Sequence, residues 1–169
     1  ILGVAVVYLL TQVKSIYGGD AGDLAVAIKT IGIAHPPGYP LYTILGIILN
    51  TVIPMGTLAW RVGFISLISS IVALFYLYRL IYLLTKKSFI SFITVATVAF
   101  LYPIWLYSVV VEVFALNNMF LAVLLYYSFL FAKNNNIRDF YLLSYLFGLS
   151  LSHHHIIIFI LPVILLLLF

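Results

Sequence analysis

Residues 88–132 read SFISFITVATVAFLYPIWLYSVVVEVFALNNMFLAVLLYYSFLFA, and Glu112 is the only charged side chain in this run of more than forty residues. The apolar residues are continuous, whereas the strands of a membrane barrel alternate lipid-facing and lumen-facing positions. A bilayer core needs roughly 20 apolar residues in one helix, so the run is long enough for about two spans. It therefore predicts membrane helices, which satisfy their own backbone hydrogen bonds inside lipid.

The whole chain has the same character. Hydrophobic residues make up 66% of it, charged residues make up 7%, and its mean hydropathy is +1.27, whereas about 25% of the residues of a soluble domain are charged. We therefore predict an integral membrane protein of the all-α class, a polytopic helix bundle. Its net charge of +4 comes from eight basic residues spread along the chain, which favours anionic lipid headgroups as partners over nucleic acid. Cysteine is absent, so there is no disulfide framework.

Six apolar segments are predicted membrane spans: residues 1–17, 62–84, 89–107, 109–132, 140–152 and 156–169. The chain begins and ends inside apolar runs, so we expect a single membrane domain, residues 1–169, that is truncated at both ends. Segment 40–53 is also apolar, but at about 1.5 Å per residue a helix of this length reaches only about 21 Å. We predict that it is interfacial or re-entrant, within a loop formed by residues 18–60.

Basic residues orient the predicted spans. If segment 40–53 does not cross the bilayer, four of them fall on one side, which the positive-inside rule assigns to the cytoplasm: Lys86, Lys87, Lys133 and Arg138. The loop 18–60 then lies on the non-cytoplasmic side, and so do the turn after residue 107 and the turn at residues 153–155. We therefore expect the acids and histidines of these three regions to converge on one face of the membrane.

The loop carries two acids in the stretch GGDAGDL, residues 18–24. Asp20 and Asp23 are three residues apart, so they share one face if a helix begins here. Such a pair can supply a general base and a second group that binds a metal or tunes the base. The spacing also fits a capping box, with Asp20 at the N-cap and Asp23 at N3 of a helix over residues 21–31 that ends at Gly32. Capping fixes the position of a carboxylate, so it does not exclude catalysis.

The next motif, HPPGYP at residues 35–40, cannot be helical. Each residue before a proline is pushed out of the α region, the proline φ angles are fixed, and Gly38 can adopt a positive φ. The motif therefore predicts a stiff turn that presents His35 and Tyr39 at the level of the lipid headgroups. His35 belongs either to a site or only to the turn. Tyr39 has the alternative of joining Tyr42 in the aromatic belt of the membrane interface.

Glu112 is the second candidate region. A carboxylate at the centre of a membrane helix costs on the order of 3 kcal/mol, so intramembrane acids are functional candidates. The alternative is that Glu112 lies near the N-terminus of its helix, where the helix dipole stabilises an anion. Asn117 and Asn118 follow on the same helix and fit either a site or interhelical hydrogen bonding.

The histidines of SHHH, residues 152–155, are the third candidate region. Consecutive residues of a helix point about 100° apart, whereas helical metal ligands are spaced i, i+4, so we predict no metal site from the triplet. We expect one or two of these histidines to face the polar site. Arg61, at the start of its span, is either a headgroup anchor or a ligand for a phosphate.

Five blocks resemble, in order along the chain, a known family: GGDAGDL, IAHPPGYPLYT, AWRVGFIS, VVVEVFALNNMFLA and YLFGLSLSHHHIIIF. The family consists of multi-pass membrane proteins that were long a domain of unknown function, and its animal member is a protein O-mannosyltransferase acting on IPT domains. It belongs to the GT-C superfamily, whose members carry an acidic motif in the first non-cytoplasmic loop and use polyprenyl- or dolichyl-phosphate sugars as donors. The resemblance covers nearly the whole chain and implies that it is the N-terminal part of such a protein.

The resemblance also implies roles for individual residues. Asp20 matches the first acid of the motif and is therefore expected to be the catalytic base, while Asp23 stands where the family usually has Glu. His155 matches the family pattern best, His154 also fits it, and His153 departs from it. The residues that we assign to substrate binding are His35, Tyr39, Arg61, Glu112, Asn117, His154 and His155.

The function implied by the resemblance is transfer of a hexose, in the first place mannose, from a lipid-phosphate donor to a protein or glycan hydroxyl by an inverting displacement. The lipid-phosphate sugar is the co-substrate, and a divalent metal is left open as a cofactor. The site would face the non-cytoplasmic side of a prokaryotic plasma membrane or of the endoplasmic reticulum. An alternative is a transporter or flippase for a lipid-linked or cationic solute, with Glu112 and the histidines as its polar relay.

Overall fold

The computed structural model describes residues 1–168, and all regular elements within that range are helical, which confirms the all-α class. We number the α-helices in chain order and call the 3₁₀ helix η1. The bounds are α1 Leu2–Thr11, α2 Ala21–Thr30, α3 Pro40–Val52, α4 Leu58–Thr85, α5 Ser88–Ala99, α6 Tyr102–Val109, α7 Phe114–Asn134, α8 Ile137–Leu151, η1 His155–Ile160 and α9 Leu161–Leu168.

Helix α4 is the centre of the bundle. It packs most extensively against α7 and also contacts α1, α2, α3, α5 and α6. Its buried face includes the small residues Ala59, Gly63 and Ser66, which let neighbouring helices approach closely, as is typical of membrane helix interfaces. Thr57 caps the helix, because its side-chain oxygen accepts a hydrogen bond from the Trp60 N–H at 3.2 Å. Such a cap stabilises a helix end whose first N–H groups otherwise lack partners.

Two of the described helices, α4 and α7, are long and apolar enough to cross a membrane, and α5 with α6 makes a third candidate if this bent pair is one span. The pair bends by 67° because the ring of Pro103 clashes with the carbonyl four residues earlier, that of Ala99, in a continuous helix. The freed Ala99 carbonyl accepts a hydrogen bond from the Tyr8 hydroxyl at 2.6 Å. The helices α1 and α3 and the segment His155–Leu168 are apolar but shorter, so the described residues support two or three membrane spans and the expected number of six is not confirmed.

The predicted span boundaries differ from the helices in three places. Helix α1 ends at Thr11 rather than at residue 17. The span 109–132 begins as a helix only at Phe114, after a non-helical break over residues 110–113. The span 156–169 starts as the 3₁₀ helix η1, and its last residue, Phe169, lies outside the described residues. The predicted spans 62–84 and 140–152 correspond to α4 and α8.

The loop 18–60 contains two short helices, α2 and α3, which pack against each other. They approach so closely that a Cβ on Gly46 would overlap the side chain of Ile28. Helix α2 ends near the predicted residue, but the left-handed conformation falls on Ile31, with φ 53°, rather than on Gly32. The Leu41 N–H donates to the Ser152 carbonyl at 3.1 Å. This bond brings the histidines that follow α8 next to the turn that precedes α3.

Candidate active site

Asp20 is the N-cap residue of α2, as predicted, but its side chain makes no capping hydrogen bond. Its backbone lies in the αR region, with φ −83° and ψ −1°, whereas a capping residue normally has an extended backbone. Asp23 does not return to the N-cap residue either, because its carboxylate is bonded to His35. The capping-box alternative is therefore wrong, and both carboxylates have other partners.

His35 connects the two carboxylates. Its backbone N–H and its Nδ1–H both donate to Asp23 Oδ2, at 2.9 and 2.8 Å, and its Nε2 lies 3.4 Å from Asp20 Oδ2. The side chains are partly exposed, at 45% for Asp20, 48% for Asp23 and 37% for His35. We call these three residues the exposed cluster. The structure thus brings together three residues that the sequence assigned to one site, and it leaves them accessible to a substrate.

Within the exposed cluster, the two bonded partners shift each other's pKa. The hydrogen bonds from the His35 backbone and imidazole lower the pKa of Asp23, and the bond to Asp23 raises the pKa of His35. A hydrogen bond or an opposite charge that stabilises the ionised form has this effect. The pair therefore stays ionised over a wider pH range than either group alone would, and Asp20 lies beside the second ring nitrogen of His35.

The HPPGYP turn sets the position of His35. Its residues before Pro40 are not helical, as predicted: the Pro36–Pro37 peptide bond is cis, and Gly38 and Tyr39 have φ of 91° and 44°. The Gly38 N–H donates to the His35 carbonyl at 2.8 Å, which closes the turn. Glycine adopts a positive φ at little steric cost, so Gly38 allows the chain to reverse into α3.

Tyr39 is buried and packs between His35 of the exposed cluster and His154. It is 5% exposed, and Tyr42 is fully buried. The Tyr39 ring lies 5.3 Å from the His35 ring and 5.4 Å from the His154 ring, measured between centroids, and its hydroxyl lies 3.5 Å from His35 Nε2. The aromatic-belt alternative is therefore wrong for both tyrosines, because a belt residue faces the membrane interface.

Glu112 lies in the break between α6 and α7, directly next to the exposed cluster. It is 5% exposed, its Oε1 accepts a hydrogen bond from the Asp20 N–H at 3.0 Å, and its backbone carbonyl accepts one from Ser66 Oγ at 3.3 Å. Burial raises the pKa of Glu112, because a charged carboxylate is poorly solvated there. Glu112 precedes the first residue of α7 by two positions, so the alternative that places it near a helix N-terminus is confirmed.

His153 is the buried histidine of the triplet, with 1% exposure. Its Nε2–H donates to the Val113 carbonyl at 3.0 Å, and its ring stacks on that of Tyr42 with centroids 6.1 Å apart. Burial lowers the pKa of His153 to about 4, so its ring is neutral at physiological pH. We call Glu112, Tyr42 and His153 the buried cluster.

The two histidines that the sequence favoured have different surroundings. His154 packs against Tyr39, and its Nδ1 accepts a hydrogen bond from the Ile156 N–H at 3.2 Å, so it also caps η1. His155 is the exposed first residue of η1. His153, which departs from the family pattern, is the histidine that bonds next to Glu112, while the assignment of His154 and His155 to substrate binding stays a prediction. The spacing argument treated the triplet as helical, but α8 ends at Leu151 and the chain turns there.

Arg61 and Asn117 are not bonded to the exposed cluster within residues 1–168. Arg61 Nη1 donates to the carbonyls of Asn50 and Ile53 at 3.2 and 3.3 Å, where it satisfies carbonyls at the end of α3 that have no helical partner. Asn117 lies in the first turns of α7 and lines an apolar groove of about 370 Å³ together with Ile160. Their assignment to substrate binding stays a prediction.

Sequence reasoning missed Tyr42, Ser66 and His153. Tyr42 lies in the first turn of α3, three residues after Tyr39, which precedes that helix; the short separation could have suggested a shared role. Ser66 and His153 are polar residues in apolar surroundings, and no spacing pattern links them to Glu112. Their hydrogen bonds to residues 112 and 113 appear only in the folded chain.

No group of three or more Asp, Glu, His or Cys side chains in the described chain is arranged to hold a metal ion. In the exposed cluster the imidazole of His35 is directed at the carboxylates of Asp20 and Asp23, so the three do not point at a common centre. A divalent metal as cofactor stays a prediction.

Comparison with known proteins links the chain to one family. The family described as "Protein O-mannosyl-transferase TMEM260 N-terminal domain" matches residues 20–169. The protein O-mannosyl-transferase tmem260 of Dictyostelium discoideum is 40% identical over 123 residues, which cover 72% of this chain and 15% of that protein. The protein O-mannosyl-transferase TMEM260 of Mus musculus is 33% identical over 159 residues, which cover 92% of this chain and 23% of that protein. The chain thus spans less than a quarter of these relatives, and no solved structure matches it.

Proposed function

Because the chain belongs to the family of the protein O-mannosyl-transferase TMEM260 N-terminal domain, we propose that it is part of a membrane glycosyltransferase that transfers mannose to a hydroxyl group of a protein. The names of the two curated relatives support mannose as the sugar and a protein as the acceptor. The chain covers only a small share of those relatives, so the activity is that of the complete protein. A glycan hydroxyl is a second acceptor that the same chemistry would serve.

One observation carries this proposal. The matched residues begin with a half-exposed carboxylate, that of Asp20, beside an imidazole that is already bonded to a second carboxylate. A general base must reach a substrate proton and must be held in a fixed position. The exposure of Asp20 supplies the first condition. Its contact with His35 and its backbone bond to Glu112 supply the second.

In the proposed reaction, Asp20 accepts the proton of the acceptor hydroxyl while the hydroxyl oxygen forms a bond to the anomeric carbon of mannose. The bond from that carbon to the phosphate oxygen of the donor breaks, and its electron pair leaves with the lipid phosphate. Attack opposite the leaving group inverts the anomeric configuration in a single displacement. The proton ends on Asp20, the mannosyl group on the acceptor, and the negative charge on the lipid phosphate.

The proposed donor is a polyprenyl- or dolichyl-phosphate mannose. Its tail would lie in the bilayer beside the apolar helices, and its phosphate needs cationic or hydrogen-bonding partners as it departs. His35 can contribute its positive charge, which the raised pKa favours, although both of its ring nitrogens face the carboxylates of Asp23 and Asp20. Arg61 can contribute only through guanidinium N–H groups that are not engaged by the carbonyls at the end of α3.

We also propose that the site faces the non-cytoplasmic side of the membrane. Lys86 follows the C-terminal end of α4 and Lys133 lies in the last turn of α7. Ser66 and Glu112 lie near the N-terminal ends of the same two helices. The basic residues and the site are therefore at opposite ends of the long helices, which supports this orientation by the positive-inside rule.

The test is Asp20→Asn in the full-length protein, assayed for transfer of mannose from polyprenyl-phosphate mannose to a protein acceptor. General base catalysis contributes about 10²–10⁴-fold, so we expect kcat to fall by about a thousandfold. Asp139→Asn is a matched control, because Asp139 lies in the first turn of α8, away from the exposed cluster, and transfer should stay close to that of the wild type. Unchanged transfer in Asp20→Asn would contradict the role of Asp20 as the base and therefore the proposal. Movement of the lipid-linked sugar across vesicles without transfer would favour the transporter alternative.

A further inference from the structure

The break between α6 and α7 is held by bonds from four other segments of the chain. The Val109 carbonyl accepts a hydrogen bond from the Val13 N–H at 2.9 Å. Ser66 on α4 and His153 after α8 bond the carbonyls of residues 112 and 113. The fourth bond joins the Glu112 side chain to the Asp20 N–H at 3.0 Å. The break is therefore a fixed junction, and one of its bonds leads directly to the proposed base.

From this geometry we infer that Glu112 is a positioning residue for Asp20: its Oε1 holds the Asp20 backbone N–H and so fixes where the Asp20 carboxylate lies. The inference rests on the proposed function, in which Asp20 is the base. It differs from the expectation that Glu112 binds the substrate, because the atom that it contacts belongs to the protein backbone.

The bond replaces one that a local acid would otherwise form. In a capping box, the Glu or Gln at N3 accepts the N–H of the N-cap residue. Here the N3 residue is Asp23, whose carboxylate is engaged by His35. Glu112, 92 positions further along the chain, accepts the Asp20 N–H instead. The N-terminus of α2 is thus tied to the junction between α6 and α7 rather than to its own first turn.

Gly19 permits the close approach that this bond needs. Its φ is +73°, and a Cβ at this position would lie 2.5 Å from Glu112 Oε1. A side chain at residue 19 would therefore be strained and would displace the carboxylate. Gly18 provides a contrast, because a Cβ there would have no heavy atom within 4 Å and its φ is not in the left-handed range.

The role requires an acceptor oxygen and not a negative charge. Glu112 Oε2 is buried and has no hydrogen-bond partner in residues 1–168, and burial raises the pKa of the carboxyl group. A glutamine has nearly the same shape and keeps an acceptor oxygen for the Asp20 N–H. We therefore expect glutamine, but not alanine, to replace glutamate.

The experiment compares Glu112→Gln, Glu112→Ala, Gly19→Ala and the control Gly18→Ala in the full-length protein, by steady-state mannose transfer and by hydrogen–deuterium exchange of the peptide 18–24. Misplacement of a catalytic group by about 1 Å lowers rates by about 100-fold. We expect Glu112→Ala to lower kcat by about this factor with little change in KM and to speed exchange in the peptide. Gly19→Ala should do the same, and the double variant should be no worse than either single one. Glu112→Gln and Gly18→Ala should stay within a few-fold of wild type in both measurements.

Three results would overturn the inference. Unchanged exchange in Glu112→Ala would mean that the carboxylate does not hold the loop. Faster exchange with full activity would mean that the hold does not matter for Asp20. A Glu112→Gln variant as inactive as Glu112→Ala, with a protected loop, would mean that a charged Glu112 acts on the substrate. If Glu112→Ala does not fold, Gly19→Ala decides the same question. The exchange data do not depend on the proposed function. A failure of the proposed function, seen in the Asp20→Asn assay, can therefore be distinguished from a failure of this inference.

Discussion

The exposed cluster and the buried cluster are neighbours and both contain a carboxyl group and an imidazole, yet their pKa values shift in opposite directions. In the exposed cluster the pKa of Asp23 is lowered and that of His35 is raised, because these two groups bond each other. In the buried cluster the pKa of Glu112 is raised and that of His153 is lowered to about 4, because burial disfavours the charged form of both.

This difference separates two roles. The groups of the exposed cluster are accessible and can act on a substrate, whereas those of the buried cluster join segments that are distant in sequence. Three atoms of the buried cluster, Glu112 Oε2, Tyr42 Oη and His153 Nδ1, have no hydrogen-bond partner in the described part of the chain. An unpaired buried charge costs several kcal/mol, so this environment suits neutral forms. Under the proposed function, the exposed cluster carries out the chemistry and the buried cluster positions it.

The largest effect on stability is expected at the buried cluster. His153→Ala removes a fully buried ring and leaves the Val113 carbonyl without its donor, so the free energy of unfolding should fall by about 3 kcal/mol. Thermal unfolding of the full-length protein in detergent measures this loss as a lower melting temperature. His155→Ala is the control, because that side chain is exposed. Equal melting temperatures for the two variants would show that His153 does not stabilise the fold.

A smaller effect, on activity, is expected at the exposed cluster. Asp23→Asn keeps the size of the side chain but removes the charge that holds His35, so kcat should fall by about tenfold through poorer positioning. The melting temperature should change little, because both partners are partly exposed. Steady-state kinetics beside Asp20→Asn provide the measurement. A loss as large as that of Asp20→Asn would make Asp23 an equal candidate for the base.

Removal of the bond from Ser66 to the Glu112 carbonyl should have a smaller effect on the junction. Ser66→Ala removes one hydrogen bond at a fully buried position, so we expect a loss of about 1 kcal/mol in the free energy of unfolding. Ser69 is also buried on α4 but is not bonded to Glu112, and Ser69→Ala should lose less. Thermal unfolding measures both losses. Equal melting temperatures for Ser66→Ala and Ser69→Ala would contradict a role of the Ser66 bond in holding the junction.

The pH at which each histidine titrates should also distinguish the two clusters. The raised pKa of His35 means that its ion pair with Asp23 is fully present below the ordinary histidine value of 6.5 and is lost as the pH rises through the higher folded value. On the acid side, the lowered pKa of Asp23 means that the pair is present above 3.8 and is lost as the pH falls through the lower folded value. NMR titration should give His35 a midpoint above 6.5 that moves down in Asp23→Asn, and His153 a midpoint near 4. A His35 midpoint below 6.5 would contradict the ion pair.

The length of the apolar runs was enough to predict the helical class, because a membrane leaves few other ways to satisfy the backbone. The proline motif predicted the non-helical turn that positions His35, and Pro103 lies where the chain bends between α5 and α6. In these places the structure follows from residues close together in sequence.

The rest depends on contacts between distant residues. The break over residues 110–113 has no proline or glycine, and it is held instead by bonds from Ser66 and His153, while Val13 bonds Val109 at the preceding end of α6. The contact of Glu112 with the Asp20 N–H follows from that break, as does the burial of His153. Spacing within a segment carries no information about such bonds, which is why the sequence predicted neither the contact of Glu112 with the Asp20 N–H nor the burial of His153.

The most direct test of the division between the clusters is the kcat for mannose transfer of Asp20→Asn and Glu112→Gln, measured side by side in the full-length protein. Each variant replaces one carboxyl group by an amide of nearly the same shape. The two variants therefore show which position needs a carboxylate and which needs only an acceptor oxygen. We expect Asp20→Asn to lose about a thousandfold and Glu112→Gln to remain within a few-fold of wild type. The opposite order, with Asp20→Asn active and Glu112→Gln inactive, would contradict the assignment of chemistry to the exposed cluster and positioning to the buried one.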